Sequence, residues 1–175
     1  PTRKTRHLNT HNSQLRSDYI RTIADDELGN VWVGTVSGLN IIGQDGIPVC
    51  TDATTIDGTS LTSTSVRCIA RDKQGGMWVG TFFDGVCYYN PRKNHFVNIQ
   101  NIPGVNSLSN NIIGCIAEDS SHNLWIGTNG GLHHYNPKTH HFDLLTTANG
   151  LLSNDIKAMY IDQKNNVMYV GTQLG

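Results

Sequence analysis

A ten-residue pattern recurs along this chain at nearly constant spacing, and this repeat constrains the fold more than any other feature. Asp26–Thr35 reads DELGNVWVGT, and the pattern returns as DKQGGMWVGT at Asp72–Thr81 and as DSSHNLWIGT at Asp119–Thr128. A fourth copy with one extra residue, DQKNNVMYVGT, spans Asp162–Thr172. The aromatic residue of each copy lies 46, 47 and 44 residues after the previous one. Self-similarity at this period is typical of solenoids and propellers, in which each repeat is one structural unit.

Each repeat predicts four short β-strands. Apolar segments rich in β-branched residues recur before, within and after the pattern, and no helical period is present. The chain has 18 glycines and five prolines, which favours many tight turns over a flexible linker. The sequence therefore predicts an all-β fold, a segment of a β-propeller with four-stranded antiparallel blades.

The repeated residues have predicted structural roles. The aspartate accepts backbone N–H bonds inside the turn between the first two strands, where Gly29 and Gly75 suit a positive φ. The Gly-Thr pair is predicted to let the chain turn closely into the third strand. The aromatic residue is predicted to pack between neighbouring blades. These structural residues are Trp32, Trp78, Trp125, Tyr169, Asp26, Asp72, Asp119 and Asp162.

A longer pattern carries a family resemblance. Leu61–Tyr89 reads LxSxxVxxIxxDxxGxxWVGTxxxGVxxY, and Leu108–Tyr135 matches it nearly as well. The pattern resembles the two-component regulator propeller repeat. That resemblance implies the extracytoplasmic sensor region of a hybrid two-component system of the kind found in Bacteroidetes, located in the periplasm ahead of a histidine kinase. It also implies an oligosaccharide released from a polysaccharide as the ligand.

The repeat boundaries divide the chain into blades of one propeller domain. Residues 1–14 are expected to form the outer strand of a preceding blade, and residues 151–175 the first half of a further blade. Residues 15–60, 61–107 and 108–150 are expected to form three complete blades. Because propellers close with about four to eight blades, the chain is expected to be part of a larger propeller. Exposed sheet edges at the two ends are expected to cause self-association, and a receptor dimer is a further expectation.

Composition excludes several classes of protein. The formal net charge is −1 and charged residues make up 15% of the chain, so no basic excess supports nucleic-acid binding. With 37% hydrophobic residues the chain has enough apolar mass for a core and is not a disordered tail. No apolar run approaches the ~20 residues that span a bilayer, so no direct membrane contact is expected.

Metal, cofactor and catalytic motifs are absent from the sequence. The four cysteines form no Cys-x-x-Cys pair, and a buried role as small apolar side chains is predicted for them. His133-His134 and His140-His141 flank a predicted turn, where an exposed patch is favoured over a zinc site. No nucleophile elbow, phosphate loop or His-Glu-x-x-His motif is present. The sequence therefore predicts neither an enzyme nor a cofactor.

A partial ring of cations is the first candidate ligand site. The residue after the first aliphatic position of each first strand is Arg21, Arg67, Gly114 and Lys157. First strands line the central channel of a propeller, so these cations are predicted at one channel mouth. There they would bind a carboxylate or sulfate of an acidic glycan. The favoured alternative is that each cation pairs with a nearby acid; the candidates are Asp18, Asp25, Asp26 and Asp155.

An aromatic pair is the second candidate. Phe82-Phe83-Asp84 follows the second strand of the second repeat, where the other repeats have Val36-Ser37 and Asn129-Gly130. The pair is therefore not part of the repeated scaffold. Phenylalanines in a loop at the mouth would stack on a sugar face or contact a neighbouring domain.

The function predicted from the sequence is ligand sensing. Two alternatives remain open: a propeller that acts as a protein-interaction scaffold without a small-molecule ligand, and a propeller lyase or other glycan-active enzyme.

Overall fold

The chain folds into a row of antiparallel β-sheets, as its repeats predict. A computed structural model describes residues 5–50, 65–90 and 95–175. Apart from a one-turn 3-10 helix at Thr147–Asn149, the regular structure in these ranges is β-strand. The strands are β1 (Ile20–Asp25), β2 (Val31–Thr35), β3 (Gly38–Ile42), β4 (Pro48–Cys50), β5 (Val66–Arg71), β6 (Met77–Thr81), β7 (Val86–Asn90), β8 (His95–Ile99), β9 (Ile113–Glu118), β10 (Leu124–Thr128), β11 (Gly131–Asn136), β12 (His141–Leu145), β13 (Ile156–Asp162) and β14 (Val167–Thr172).

The strands form three complete blades and half of a fourth. Blade 1 has the order β1-β2-β3-β4, blade 2 the order β5-β6-β7-β8 and blade 3 the order β9-β10-β11-β12. Blade 4 contains β13 and β14. Within each blade, strands that are consecutive in sequence pair antiparallel. The first strands β1, β5, β9 and β13 lie side by side in that order. The four sheets form an open propeller segment.

The core lies between blades rather than within one. Trp32 and Leu39 of blade 1 pack with Val66, Met77 and Val79 of blade 2. An equivalent cluster joins blade 2 to blade 3. Each sheet therefore buries its apolar face only when the next repeat lies beside it, which is why a single repeat is not a stable unit.

The turn between the first two strands is organised by its aspartate. In blade 1, Asp26 Oδ1 accepts hydrogen bonds from the backbone N–H groups of Leu28 and Asn30 at 2.9 and 2.8 Å. Gly29 and Gly75 adopt φ values of 79° and 82°, as expected. In the fourth repeat, the positive φ falls on Asn166 at 53°. Counted from the aspartate, this position lies one residue later than in the other repeats because the fourth copy has one extra residue.

The two residues of the Gly-Thr pair have different roles, and only the threonine takes part in the predicted turn. Gly80 lies inside β6, where a Cβ atom would lie 2.5 Å from Cys68 Sγ and 2.7 Å from Ile113 Cγ2 of the next blade. The glycine therefore allows the next blade to approach, and it does not form the turn. Thr81 stabilises the turn, because its hydroxyl donates to the carbonyl oxygen of Gly85 at 2.8 Å.

The structure describes two segments only in part, the N-terminal residues and the long loop after the third strand of blade 1. Residues 5–14 form no strand in this structure and pair with no sheet; the guanidinium of Arg6 donates to the carbonyl oxygen of Gly46 at 3.0 Å. Most of the Thr- and Asp-rich loop Asp45–Ser60, to which the sequence assigns no orientation, lies outside the described residues.

Candidate functional site

The four residues of the predicted basic ring share one structural feature. Each first strand contains a β-bulge, and the residue left out of the pairing is Arg21, Arg67, Gly114 or Lys157. A bulge inserts one unpaired residue into a strand and redirects its side chain. The repeat therefore places a bulge at the same position near the start of all four first strands.

These bulges lie at one end of the blades, together with the loops that follow the second strands. The first residue of each such loop donates a backbone hydrogen bond to the residue that precedes the first strand. Phe82 N–H donates to the carbonyl oxygen of Ser65 at 2.9 Å, and Gln173 N–H donates to that of Asp155 at 2.9 Å. We call this end, formed by the loops after the second strands and the residues entering the first strands, the mouth.

Arg67, Phe82 and Phe83 come together at the mouth. The guanidinium carbon of Arg67 lies 5.0 Å from the centre of the Phe82 ring, within the range of a cation–π contact. The Phe82 and Phe83 rings meet edge to face with their centres 4.4 Å apart. Phe82 is partly buried, whereas 65% of Phe83 is exposed. The result is an aromatic surface with a cation at its edge.

The turn that carries the aromatic pair is held from several sides. Asp84 N–H donates to Thr81 Oγ1 at 2.9 Å, and Gln100 Nε2 donates to the carbonyl oxygen of Asp84 at 3.3 Å. Gly85 has a φ of 73°, and a Cβ atom there would collide with the carbonyl oxygen of Ile99. The aromatic pair is therefore presented on a rigid hairpin turn, and Asp84 contributes to that turn.

Two oxygen atoms at the mouth are buried without a hydrogen-bond partner. They are Ser65 Oγ and Asp155 Oδ1, which occupy the same repeat position directly before the first strand, and no described residue pairs with them. Unpaired buried polar atoms are rare in folded proteins. Ser65 Oγ provides an additional hydrogen-bond acceptor near the Arg67 cluster in blade 2. Asp155 Oδ1 provides one near Lys157 in blade 4.

The basic residues do not form a continuous ring. Lys157 Nζ lies 2.8 Å from Asp155 Oδ2, which is the local pairing that the sequence analysis favoured. Arg21 is exposed in blade 1. Blade 3 has Gly114 because a Cβ atom there would collide with the carbonyl oxygen of Ile156 in the neighbouring first strand. Close approach of two backbones thus interrupts the ring.

The other predicted acids have different partners. Asp18 accepts hydrogen bonds from the Thr10 backbone and hydroxyl at 2.7 and 3.2 Å. Asp25 Oδ2 lies 3.3 Å from Arg71 Nη1, in a contact between blades 1 and 2. Asp26 accepts a hydrogen bond from Trp32, so of these four acids only Asp155 contacts one of the predicted mouth cations.

The repeated aspartates and aromatic residues pair with each other in two blades. Trp32 Nε1 donates to Asp26 Oδ2 at 3.0 Å, and Trp78 Nε1 donates to Asp72 Oδ2 at 2.9 Å. Burial alone would raise the pKa of Asp26, but the hydrogen bonds from Trp32, Asn30 and the turn backbone together hold it below its ordinary value. Both tryptophans are almost fully buried between blades.

Blades 3 and 4 depart from this arrangement. Asp119 Oδ2 lies 3.1 Å from His134 Nε2, and the His134 ring stacks on Trp125 with centres 4.4 Å apart. Trp125 is only partly buried. Tyr169 is 60% exposed because no blade formed by the described residues packs on the outer face of β14. Asn165 Nδ2 donates to Asp162 Oδ2 at 2.7 Å. The repeated aspartates and aromatic residues therefore make structural contacts in every blade. The aromatic residue is almost fully buried in blades 1 and 2, partly buried in blade 3 and exposed in blade 4.

The described cysteines are free thiols in the sheets. Cys68, Cys87 and Cys115 form no disulfide. Burial raises the pKa of Cys115 to about 12 and also raises that of Cys68, so both remain protonated at neutral pH. The side chain of Cys50 lies outside the described residues. Across residues 5–50, 65–90 and 95–175, no group of three or more His, Cys, Asp or Glu could hold a metal ion.

The family comparison agrees with the repeat pattern. The family described as two-component regulator propeller matches residues 14–37, 60–83 and 107–130. No curated protein matches the sequence. In the parts of the chain that the structure describes, no helix has the length and apolar character to cross a membrane.

Solved structures with the same fold include two bacterial extracellular domains and a lyase. The extracellular domain of a protein described as a hybrid two-component system of B. thetaiotaomicron aligns with a TM-score of 0.83 at 21% identity, over 95% of this chain and 24% of that chain. A second such domain from the same organism aligns with a TM-score of 0.73 at 22% identity, over 90% and 22%. Virginiamycin B lyase from Staphylococcus aureus aligns with a TM-score of 0.61 at 12% identity, over 88% and 49%. This chain spans about a quarter of the length of the two extracellular domains.

Proposed function

Because this chain is built from two-component regulator propeller repeats, we propose that it is an extracytoplasmic ligand-sensing propeller segment of a hybrid two-component sensor kinase. The ligand is an acidic oligosaccharide that binds at the mouth. The observation that carries the proposal is the cluster of Arg67, Phe82 and Phe83 on a rigid turn outside the repeated scaffold. Extracytoplasmic domains of hybrid systems share the fold, which supports the same placement for this chain.

The chemistry of the cluster suits an acidic sugar. The exposed Phe83 ring offers an apolar face to the C–H groups of a pyranose ring. The Arg67 guanidinium retains its planar set of N–H donors while it rests on Phe82, so it can bind a carboxylate or sulfate in bidentate fashion. The turn is already held in place, so little ordering cost is added on binding.

Signalling requires that the ligand prefer one arrangement of the receptor. A ligand at the mouth shifts a conformational equilibrium only by the difference in its affinity for the two states. The mouth joins loops from neighbouring blades, so a bound oligosaccharide would bridge units whose relative packing differs between those states. This bias in packing is the proposed route to the kinase.

The binding prediction is tested with a calorimetric titration of oligosaccharides of galacturonic acid, with oligosaccharides of galactose as the neutral comparison. Arg67→Ala is expected to weaken binding of the acidic ligand by about tenfold or more, because a charge-assisted hydrogen bond is lost. Phe83→Ala is expected to weaken it by about fivefold with no loss of thermal stability, since its ring is mostly exposed.

Lys164→Ala provides the matched control, because Lys164 lies in the β13–β14 turn at the opposite end of the blades. Equal affinity of the Arg67→Ala and parent chains would refute the mouth as the site. Recovery of the oligosaccharide with its mass changed would instead identify a lyase or hydrolase.

We also propose that this chain self-associates through the open faces of blades 1 and 4. In blades 2 and 3, Ile69 and Ile116 pack against the preceding blade, whereas the equivalent Ile23 is 64% exposed. On the other side, Tyr160 is 65% exposed, although its equivalent Ala70 packs against the following blade. Each face is the surface that a neighbouring blade covers elsewhere, so the two faces fit each other head to tail.

Sedimentation velocity is expected to show a weight-average mass that increases with protein concentration. Ile23→Lys and Tyr160→Lys are each expected to shift the protein towards monomer, because each variant charges one of the two faces. Leu144→Lys, on the exposed side of outer strand β12, is the control and is expected to change nothing. A monomer at every concentration up to the millimolar range would contradict the proposal.

A further inference from the structure

A groove of about 470 Å³ lies between blades 2 and 3, at the end of the blades opposite the mouth. Its volume falls within the range of small-molecule sites. Its lining is mostly apolar and includes Trp78, Tyr88, Val97, Ile99, Leu124 and Tyr135. The Trp78 ring lies 4.3 Å from that of Tyr88 and 6.3 Å from that of Tyr135, so three aromatic rings from two blades border one cavity.

Two histidines at the rim adopt a backbone conformation with positive φ, which favours glycine. His122 has a φ of 66° at the turn position occupied by Gly29 and Gly75 in the earlier repeats. His140 has a φ of 57° in the turn between β11 and β12. A non-glycine residue in this region costs free energy, and such residues concentrate at functional sites. Both histidines line the groove.

Hydrogen bonds hold the rim in place. His122 Nδ1 lies 2.9 Å from Gln74 Nε2 of blade 2 and 2.8 Å from Glu118 Oε1. Glu118 Oε2 also accepts a hydrogen bond from Lys73 N–H at 2.9 Å. His140 Nδ1 lies 2.9 Å from the Tyr135 hydroxyl. The strained turn of repeat 3 therefore bridges two blades across the groove.

The carboxylates that line the groove already have hydrogen-bond partners, and a lysine beside them is available to a ligand. The Asp72 carboxylate already accepts hydrogen bonds from Trp78 Nε1 and two backbone N–H groups. The Glu118 carboxylate is occupied by His122 and Lys73, and its side chain is only 8% exposed. Lys138 also lines the groove, and its ammonium group forms no ion pair with the described residues. The ammonium group of Lys138 is therefore available to a ligand, whereas the carboxylates of Asp72 and Glu118 already accept hydrogen bonds.

We propose that this groove binds a small aromatic carboxylate. The proposal rests on the aromatic lining, the two histidines with positive φ and the ammonium group of Lys138. The aromatic ring of the ligand packs among Trp78, Tyr88 and Tyr135, and its carboxylate lies towards Lys138 with His122 and His140 beside it. A mostly apolar lining suits a flat arene better than a sugar, which presents hydroxyl groups around its whole edge. The site is independent of the proposed oligosaccharide site at the mouth.

Ligand-observed NMR with the intact chain tests the proposal, with 4-hydroxybenzoate as probe and 4-hydroxybenzyl alcohol as its neutral counterpart. Saturation transfer to 4-hydroxybenzoate is expected, with weaker transfer to the alcohol. Val97→Trp is expected to reduce affinity at least tenfold by filling the groove from the exposed face of β8. Lys138→Ala is expected to weaken the carboxylate about threefold and leave the alcohol unchanged.

His122→Gly separates a binding role from a structural one. This substitution removes the strain of a positive φ on a non-glycine residue but also removes the partner of Glu118 Oε1, so the melting temperature is expected to change little. Affinity for 4-hydroxybenzoate is nevertheless expected to fall. Arg67→Ala is the control and is expected to leave this probe unaffected.

Three outcomes would overturn the proposal. They are an absence of saturation transfer, equal binding by the Val97→Trp chain, and a His122→Gly chain that binds as well as the parent. Tighter binding of a neutral monosaccharide than of 4-hydroxybenzoate would overturn the ligand class.

Discussion

Gly80→Ala is expected to destabilise the chain by about 2 to 3 kcal/mol, although it adds only one methyl group. The new Cβ atom would lie 2.5 Å from Cys68 Sγ, 2.7 Å from Ile113 Cγ2 and 3.1 Å from Ile113 Cβ. Cys68 belongs to the first strand β5 and Ile113 to the first strand β9, so neither can move without shifting the interface between blades 2 and 3. Gly80 has no positive φ, so the effect comes from packing and not from backbone strain.

Gly171→Ala is the matched control for this substitution. Gly171 occupies the same repeat position in β14, but its nearest neighbours, the carbonyl oxygen and Cβ of Ala158, would lie 3.7 and 3.8 Å from the added atom. No blade packs on this face, so an ordinary contact is gained and the free energy of unfolding is expected to stay the same or rise slightly. Urea unfolding monitored by tryptophan fluorescence measures both variants.

A double-mutant cycle identifies the contact responsible. Cys68→Ala introduces the residue that blade 4 has at this position, Ala158, and removes the sulfur atom that the new methyl group meets. The double variant Cys68→Ala/Gly80→Ala is therefore expected to recover about 1 kcal/mol relative to the sum of the single changes. If Gly80→Ala and Gly171→Ala were equally stable, close packing of blades through this glycine would be refuted.

Acid is expected to destabilise this protein through His133 before the contributions of Asp26 and Asp119 are lost. His133 is 1% exposed, and Ser109 N–H donates to its Nε2 at 2.9 Å. The imidazole proton therefore lies on Nδ1, which is buried and has no partner among the described residues. Burial lowers the pKa of His133 to about 4. The ring is neutral in the folded protein at pH 7.

The direction of the pH dependence follows from this shift. An unfolded histidine titrates near its ordinary value of 6.5, so below that pH the unfolded chain binds a proton that the folded chain does not. The contribution of His133 is fully present above pH 6.5 and is lost as the pH falls towards 4. The loss amounts to about 3 kcal/mol across this window. The pKa values of Asp26 and Asp119 are lowered below 3.8, so their contributions are lost only at more acidic pH.

His133→Asn is expected to remove most of this pH dependence while preserving the fold. Blade 1 has Asn40 at the equivalent position, where its Oδ1 accepts a hydrogen bond from Arg16 N–H at 3.0 Å. An asparagine at position 133 can accept from Ser109 N–H in the same way and does not titrate. Urea unfolding at pH values between 7.5 and 4.5 gives the comparison.

The exposed His141 supplies the control for this experiment. His141→Asn is expected to retain the pH dependence of the parent, since its side chain is 60% exposed. Parallel pH profiles of the parent and the His133→Asn chain would show that His133 does not carry the effect.

The strands could be predicted from sequence because the signals that form them are local. An apolar run, an Asp-x-x-Gly turn and a second apolar run lie within about twenty residues of one another, and the same order recurs in every repeat. β8 and β12 agree with the predicted fourth strands. The fourth strand of the first repeat, β4, has only three residues and lacks the histidine and phenylalanine that mark the fourth strand in the next two repeats.

The candidate site was predicted only in part. Equal spacing placed Arg67 and the Phe82-Phe83 pair at the same end of blade 2, and the structure brings the three together. The amino-acid sequence of a single repeat does not indicate the β-bulge at Arg67. Nor does it indicate the unpaired oxygen of Ser65, because the burial of a side-chain atom is set by the folded structure.

By itself, the sequence determined the repeating unit: its strands, its turn and the aromatic residue that each unit presents to the next. Only the tertiary structure decided that Gly80 is a packing residue, that Gly114 interrupts the basic ring, and that Asp119 binds His134 instead of a tryptophan. Each of these depends on atoms brought within a few ångströms from separate strands or separate blades. A periodic pattern specifies that such units pack side by side, but the individual contacts depend on the residues in which the repeats differ.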